Sequence, residues 1–350
     1  MQSQALEFLQ ELVDIPSPSG FEQSAQRLVR EQLSLCTNQV TTDVLGNVVG
    51  IINPGGYPTV LLVGHCDEVG LMVRYITDEG FIYVAPIGGI YPQVATGQRV
   101  TIVTEQGPVS GVINSAPVEK DHQKTQLKLE DLWIDIGTKD KSATQALVAV
   151  GDPAVLSPTF LQLNDDIAIA RGFDDKIGSF IVTEVLRQLN AKNTTASVVA
   201  LSSVQEEIGS RGAQTAAFQL LPQIGIAVDV TDATDHPGIE KKKSGDISLG
   251  SGPVLHRGAN VNPVLGKLLI EAAKHKNIPY QRRGDPKGTG TDANVLQVNK
   301  EGMATALVSI PLRYMHTPCE MLSLSDVDNA IKLLVAFIET LGPACDFTPV

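Results

Sequence analysis

The chain has 350 residues, of which 27 are basic and 39 acidic, so its formal net charge is −12, and 43% of its residues are hydrophobic. This composition is typical of a folded protein with a large core and excludes an intrinsically disordered chain. The acidic excess argues against nucleic acid or an anionic membrane as a partner, and no apolar run reaches the roughly 20 residues of a membrane span.

Two features bear on the cellular compartment. The first residues, MQSQALEFLQELVDIPS, have no basic start and carry acidic residues at helical spacing, so we expect no signal peptide there. The cysteines form no CxxC pair and are far apart in the sequence, at Cys36, Cys66, Cys319 and Cys345. Scattered cysteines are typical of a reducing compartment, so the sequence predicts a cytoplasmic protein.

The predicted elements alternate between helices and strands. Helical periodicity covers 3–13 and 22–35, and a strand is predicted over 47–52. Short apolar runs, typical of strands buried on both faces, follow at 59–63, 196–201, 224–228 and 305–310. Further helices are predicted at 175–190, 211–221, 262–276 and 324–341. This alternation predicts an α/β fold, with a mostly parallel mixed sheet flanked by helices.

The middle of the chain has a different pattern. Between 72 and 163, short β-rich pieces are separated by Gly, Pro and charged turns, with one short helix predicted around 142–147. We therefore expect a small β-barrel or sandwich inserted into the α/β domain. The catalytic domain would then be discontinuous, formed by 1–71 and 164–350, with 72–163 as the insertion.

Histidines and carboxylates follow the predicted strands at the points where these end. Because ligands bind beyond the carboxyl ends of strands in such sheets, we expect these side chains to meet there. Unpaired buried charges are costly, so bound cations would stabilise the cluster. Imidazole and carboxylate without thiolate suit Zn²⁺, Co²⁺ or Mn²⁺. The residues are His65, Asp67, Asp174, Glu206, Glu207, Asp229 and His316.

Each of these residues alone also has an ordinary structural explanation. A strand-end Asp often caps a helix, and the adjacent Glu206 and Glu207 could begin an exposed helix. Cys66 and Cys319 are interpreted as packing residues and not as metal ligands. The remaining histidines are interpreted as surface or supporting residues: His122, His236, His256 and His275. The metal-site interpretation depends on the combination of strand ends and not on any single residue.

Six ordered motifs resemble the M42 family of metallo-aminopeptidases, which includes glutamyl, leucyl and tetrahedral aminopeptidases. They are GHCDEVG at 64–70, FDDKIG at 173–178, QEEIGSRGA at 205–213, VDV at 228–230, GTDA at 290–293 and RYMHT at 313–317. The order of the motifs and the β-rich insertion both match the layout of the family.

This resemblance implies two divalent metal ions, most simply Zn²⁺ or Co²⁺. Asp174 would bridge them. His65 and Asp229 would complete the ligands of one metal, and Glu207 and His316 those of the other. Glu206 and Asp67 would be the catalytic residues: Glu206 as the general base, and Asp67 as the carboxylate that orients His65.

The resemblance also implies substrates and an assembly. The expected reaction removes N-terminal residues from short peptides with a free N-terminus, through a metal-bridging hydroxide. The expected partners are such peptides and further copies of the chain, from dimer to dodecamer, with the inserted β domain supplying contacts. Two alternatives remain open: a dinuclear N-acyl amino-acid deacylase, and a non-catalytic assembly protein on a peptidase fold.

The sequence offers two interpretations of the basic residues that could set the preferred N-terminal residue of the substrate. Arg257 and the lysines at 241–243 either border the specificity pocket, which would favour acidic N-terminal residues, or are surface charges. The loop GTGTD at 288–292 is expected to line the substrate site, since it lacks the Lys-Ser ending of a phosphate-binding loop.

Overall fold

The structure, a computed structural model, describes residues 1–116, 127–157 and 159–349. The α-helices in these ranges are α1 (Ser3–Asp14), α2 (Gln23–Ser34), α3 (Pro92–Ala95), α4 (Lys141–Gln145), α5 (Phe173–Asn190), α6 (Arg211–Leu220), α7 (Lys241–Ser244), α8 (Pro263–His275), α9 (Ala293–Gln297) and α10 (Leu324–Glu339). The strands are β1 (Val40–Thr42), β2 (Val48–Ile52), β3 (Thr59–His65), β4 (Gly70–Ile76), β5 (Ile82–Ile87), β6 (Arg99–Thr104), β7 (Gly107–Ser115), β8 (Leu132–Asp135), β9 (Pro153–Leu156), β10 (Leu161–Gln162), β11 (Ile167–Ala170), β12 (Ser197–Ser203), β13 (Ile224–Asp232), β14 (Val254–Gly258), β15 (Gln281–Asp285), β16 (Ala304–Leu312) and β17 (Glu320–Ser323).

An eight-stranded mixed sheet forms the centre of the molecule, in the order β1-β2-β12-β3-β13-β16-β14-β15. Its four middle strands, β12, β3, β13 and β16, run parallel. β2 pairs antiparallel with β12, and β14 pairs antiparallel with β16. The predicted mixed sheet is therefore confirmed. β14 and the edge strand β15 were not predicted from the sequence.

Helices cover both faces of this sheet, which explains the continuous apolar runs. In β3, Val60 and Leu62 pack with α1, α2, α5, α8 and α10 on one face. Leu61 and Val63 alternate to the other face and pack with α6 and α9. All four side chains are fully buried, and burying such a side chain contributes about 1.5–3 kcal/mol. Strands of this kind lie in the centre of the sheet because only there are both faces covered.

The inserted β-rich region contains a closed barrel, in the order β4-β5-β8-β7-β6-β9, with antiparallel pairing throughout. It has a separate core of buried residues, which includes Leu71, Ile102 and Ile134. The predicted barrel is thus confirmed, and its strands run from Gly70 to Leu156. The boundaries of the two domains and the role of the barrel in assembly stay predictions.

A small antiparallel sheet, β10-β11-β17, lies beside the central sheet. β11 leads through Arg171 and Gly172 into α5, and β17 follows β16 along the chain. In the ranges that the structure describes, none of the helices has the length and apolar character needed to cross a membrane.

Candidate metal centre and cleft

The predicted site residues meet beyond the carboxyl ends of the parallel strands. His65 is the last residue of β3, and Asp229 lies in the carboxyl half of β13. Glu206 and Glu207 follow the end of β12, and His316 follows β16. Asp174 enters from the start of α5. This convergence follows from parallel strands ending at one edge of a sheet.

The approach of α5 to β3 depends on two glycines. A Cβ atom at Gly64 would overlap the backbone of Gly178, so only glycine permits this distance between strand and helix. Asp174 and Asp175, the second and third residues of α5, have non-helical backbone angles, and the peptide bond between them is cis. The close packing brings Asp174 beside His65.

Asp174 lies between the two histidines. Its Oδ1 is 3.4 Å from Nε2 of His65, and its Oδ2 is 3.2 Å from Nε2 of His316. Each carboxylate oxygen therefore faces a different imidazole. The side chain is buried, so this arrangement is held away from bulk solvent. A carboxylate placed in this way can bridge two cations.

Two sets of potential ligand atoms share His65. In the first, the atoms of His65, Asp174 and Glu207 all lie within 4.8 Å of one another. In the second, those of His65, Asp175 and Asp229 do so. Both oxygens of Asp175 accept backbone hydrogen bonds. Its Oδ2 accepts the N–H of His65 at 3.1 Å, and its Oδ1 accepts the N–H of Gly178 at 3.0 Å.

The donor set fits divalent cations. Imidazole nitrogens and carboxylate oxygens are ligands of Zn²⁺ and related ions. Oε1 of Glu207 is buried and accepts no hydrogen bond from the described residues, although Nε2 of His316 is 3.4 Å away. A buried carboxylate oxygen without a donor is costly, and a bound cation would remove that cost. Cys66 is buried and Cys319 exposed, and neither belongs to a ligand group within the described ranges.

The buried carboxylates of the cluster favour the binding of a positive charge, either a proton or a cation. Burial and the charge of Asp174 raise the pKa of Asp229 well above its usual range, and burial likewise raises the pKa of Glu207. Burial opposes protonation of His316, but the neighbouring carboxylates of Asp174 and Glu207 raise its pKa to about 11. Burial also opposes the charged form of Asp174, yet His316 and His65 lower its pKa. The carboxylates therefore hold a proton or a cation at this place.

Asp67 holds the Glu206–Glu207 segment. Its Oδ1 accepts the N–H of Glu206 at 3.0 Å, and its Oδ2 accepts the N–H of Glu207 at 3.1 Å. Ser19 donates a third hydrogen bond, of 2.6 Å. Nδ1 of His65 lies 3.1 Å from the main-chain oxygen of Asp67 and 3.4 Å from its Oδ1. Asp67 thus touches both His65 and the two glutamates.

Glu206 lies at the edge of the cluster, with a side chain that is 12% exposed and an Oε2 that is 3.8 Å from Nε2 of His65. Its Oε1 accepts a hydrogen bond of 3.1 Å from Ser210. Burial and the negative charge of Asp292, only partly offset by His65, raise its pKa to about 8. A carboxylate with this proton affinity, open to a cleft, can accept a proton near neutral pH.

The cluster opens into a cleft of about 230 Å³. Beyond the candidate ligands it is lined by Val230, Thr231, Asp232, His256, Arg283, Asp285, Thr289, Gly290, Thr291, Leu307 and Met315. The loop at 288–292 thus contributes Thr289, Gly290 and Thr291 to the cleft, where the sequence predicted it.

The basic residues considered for the specificity pocket lie elsewhere. Arg257 is exposed and borders a separate groove beside α8. Lys241 pairs with Asp246, and Lys243 pairs with Glu240 on the exposed helix α7. The interpretation of these residues as surface charges therefore agrees with the structure, and none of them lines the cleft.

Two further residues at the site were not among the predicted site residues, although His256 was considered as a supporting residue. His256 is buried at the cleft, where Nδ1 lies 2.6 Å from Asp285 and Nε2 lies 2.9 Å from Ser309. Glu320 is buried between Asp174 and His316. No motif marked either residue. Of the other histidines, His236 and His275 lie outside the cleft lining, and His122 lies outside the described residues.

Comparison with known proteins identifies the family of the chain. The sequence profile of the M42 glutamyl aminopeptidase family matches residues 46–333. The lysyl aminopeptidase of Pyrococcus furiosus is 38% identical over 98% of this chain and 99% of its own length. A TET aminopeptidase from a marine sediment archaeon of the Thaumarchaeota is 33% identical, with a TM-score of 0.92 over 97% of this chain and 96% of that chain.

A further solved structure is the TET1 peptidase of Pyrococcus horikoshii, which can assemble into a tetrahedron or a large octahedral shell. It is 30% identical, with a TM-score of 0.84 over 96% of this chain and 100% of that chain. The family profile, the relatives and the fold together identify the chain as an aminopeptidase of the M42 glutamyl aminopeptidase family.

Proposed function

We propose that the chain is a dinuclear metal-dependent aminopeptidase that removes N-terminal residues from short peptides. The observation that carries this proposal is the position of Asp174, with one carboxylate oxygen facing His65 and the other facing His316. We assign Asp174 as the ligand shared by both ions. His65 and Asp229 would hold one ion, and Glu207 and His316 the other.

The ions would be divalent, with Zn²⁺ and Co²⁺ the best match to imidazole and carboxylate donors. When bound, such ions lower the pKa of a coordinated water and polarise the scissile carbonyl. The chain supplies the remaining groups.

Glu206 is the general base of this proposal. Its Oε2 accepts a proton from the attacking water and then delivers that proton to the leaving amine. The hydrogen bond from Ser210 to Oε1 leaves Oε2 as the oxygen free to exchange the proton. Asp67 supports this role because it holds the N–H of Glu206 and thereby the position of its side chain.

We further propose that the cleft prefers a basic N-terminal residue. Arg283 is already engaged, because Nη1 donates to Thr231 at 2.5 Å and Nε lies 3.3 Å from Asp285. Asp232 is exposed at the end of β13, lines the cleft and forms no ion pair with the residues that the structure describes. A lysine side chain would therefore meet a free carboxylate, and one relative is named a lysyl aminopeptidase.

The last part of the proposal concerns the assembly of several copies of the chain. The TET1 peptidase of Pyrococcus horikoshii can form a tetrahedron or an octahedral shell. We propose that this chain also forms a closed homo-oligomer and that the inserted barrel contributes to its interfaces.

The chemistry is tested with paired substrates. The chelator-treated enzyme should lose activity on lysyl, leucyl and glutamyl anilides and regain it with Zn²⁺ or Co²⁺. An N-acetylated lysyl anilide should not be cleaved, because its α-amine is blocked. Release of acetate from the N-acetylated substrate, without release of aniline from the free-amine anilides, would favour the deacylase alternative. Full activity after chelation would exclude the metal mechanism.

A further inference from the structure

Glu320 is a buried carboxylate that touches two of the proposed metal ligands through their backbones. It is 2% exposed, at the first position of β17. Its Oε2 accepts the N–H of Asp174 at 3.0 Å, and its Oε1 accepts the N–H of His316 at 2.8 Å. Since both oxygens accept backbone hydrogen bonds, Glu320 acts on the position of these residues.

His316 needs such support because of its backbone. Its φ is +60°, and that of the nearby Tyr314 is +63°. This left-handed region is uncommon for residues that carry a Cβ. The hydrogen bond from the N–H of His316 to Glu320 stabilises the turn that points the imidazole towards Asp174.

The barrel fixes the other end of the imidazole. Gly89, just after β5, presents its carbonyl oxygen 2.8 Å from Nδ1 of His316. A carbonyl only accepts hydrogen bonds, so Nδ1 carries a proton, and Nε2, which faces Asp174 and Glu207, is the nitrogen that would give up its proton to a cation. Ligating histidines are commonly held in this way by a carbonyl at the second nitrogen.

The close approach of the barrel leaves little room for a side chain at either position of the turn at 88–89. A Cβ at Gly89 would lie 3.2 Å from Nδ1 of His316, and one at Gly88 would lie 3.2 Å from Cβ of Glu207. The turn at 88–89 therefore packs directly against two of the proposed ligands.

We propose that Glu320 and the carbonyl of Gly89 form a clamp that positions His316 and Asp174 for metal binding, so that the inserted barrel is part of the active site. Glu320 is a positioning residue, because it contacts the ligands and not the metal. The inference depends on the ligand roles proposed above, and it adds residues outside the ligand set.

The test compares two buried carboxylates with the same bonding pattern. Asp326 is fully buried, and its two oxygens accept the N–H groups of Gly250 at 2.7 Å and Gly252 at 2.6 Å. It is not among the residues of the metal cluster or the cleft. In both Glu320→Gln and Asp326→Asn, an amide NH₂ replaces one accepting oxygen, so each variant loses one backbone hydrogen bond.

The measurement is calorimetric titration of Zn²⁺ into the full chelator-treated chain, together with thermal unfolding. We expect Glu320→Gln to weaken Zn²⁺ affinity by about 10- to 100-fold. Asp326→Asn should lower the unfolding temperature and leave the affinity unchanged. Equal Zn²⁺ affinity and stoichiometry in wild type and Glu320→Gln would overturn the proposal.

A second pair keeps the test decisive if Glu320→Gln does not fold. Gly89→Ala places a methyl group against His316 and should also weaken Zn²⁺ binding, whereas Gly342→Ala places one in open space and should not. Unchanged affinity in Gly89→Ala would then overturn the clamp. A wild-type chain that binds no Zn²⁺ would instead contradict the proposed function, so the two failures are distinguishable.

Discussion

Oδ1 of Asp67 accepts a hydrogen bond of 3.0 Å from the backbone N–H of Glu206. Its other oxygen accepts the N–H of Glu207. The two glutamates follow β12, whereas Asp67 follows the neighbouring strand β3, so one buried carboxylate ties two strand ends together. In the proposed mechanism, Asp67 thereby sets the position of the general base and of one metal ligand at once.

Glu206→Gln should remove nearly all turnover without loss of metal. The amide keeps the size of the side chain but cannot accept the proton, and general-base catalysis contributes about 10²- to 10⁴-fold. We expect kcat to fall by about this factor while metal analysis still finds two ions per chain. A rate near that of wild type would remove Glu206 from the role of base.

Asp67→Asn should affect both metal binding and catalysis. The amide supplies one accepting oxygen where the carboxylate supplies two, so one of the N–H groups of Glu206 and Glu207 loses its acceptor. We expect metal affinity to fall by about 10- to 100-fold, as for other groups that support ligands. The measurement is a competition titration with a chromogenic chelator. Unchanged affinity and kcat would show that the contacts of Asp67 are not needed.

Asp232→Asn should change substrate preference. We expect wild type to cleave lysyl anilide with a higher kcat/KM than glutamyl anilide, because the carboxylate is free to pair with a cation. Removing this charge should lower kcat/KM for lysyl anilide by about 5- to 10-fold, on the order of 1 kcal/mol. It should raise kcat/KM for glutamyl anilide.

Asp246→Asn is the matched control for this substitution. Asp246 is an exposed carboxylate that pairs with Lys241 and does not line the cleft, so both kcat/KM values should stay unchanged. A wild-type preference for glutamyl anilide would instead assign the dominant role in the cleft to Arg283.

Glu22→Gln should alter how stability depends on pH. Burial raises the pKa of Glu22 from 4.5 to about 7, although the N–H groups of Gly20 and Gln205 donate to its carboxylate. The folded chain therefore holds this proton more tightly than the unfolded chain. The resulting stabilisation is complete below about pH 4 and is lost as the pH rises through about 7.

Because glutamine does not titrate, the variant should gain stability relative to wild type by about 1–3 kcal/mol between about pH 5 and about pH 8. Urea unfolding of both chelator-treated proteins at these two values measures the difference. Glu31→Gln, at an exposed position of α2, serves as the control. If the free energy of unfolding changed equally with pH in the variant and in wild type, the raised pKa of Glu22 would be contradicted.

Much of the fold follows from local patterns. The continuous apolar runs predicted β3, β12, β13 and β16 because these strands are buried on both faces. β15 was missed since its sequence, QRRGD, lacks apolar residues, and its position at the edge of the sheet does not require them. Its existence depends on pairing with β14, which no local pattern reveals.

Some residues of the site could also be predicted from local sequence patterns, and others could not. The residues at strand ends were predictable because the topology brings strand ends together, and the structure does bring His65, Asp174 and His316 into contact distance. Their chemical roles stay predictions. Gly89 was not predictable, because its carbonyl meets His316 across 227 residues of sequence. Glu320 was missed because a single Glu at the start of a short strand carries no pattern of its own.

In the proposed mechanism, two metal ions act together at Asp174. The most direct measurement titrates Zn²⁺ or Co²⁺ into the chelator-treated chain and follows activity on lysyl anilide together with bound metal. We expect no activity without metal and full activity when two ions are bound per chain. Full activity at one ion or none would contradict this mechanism.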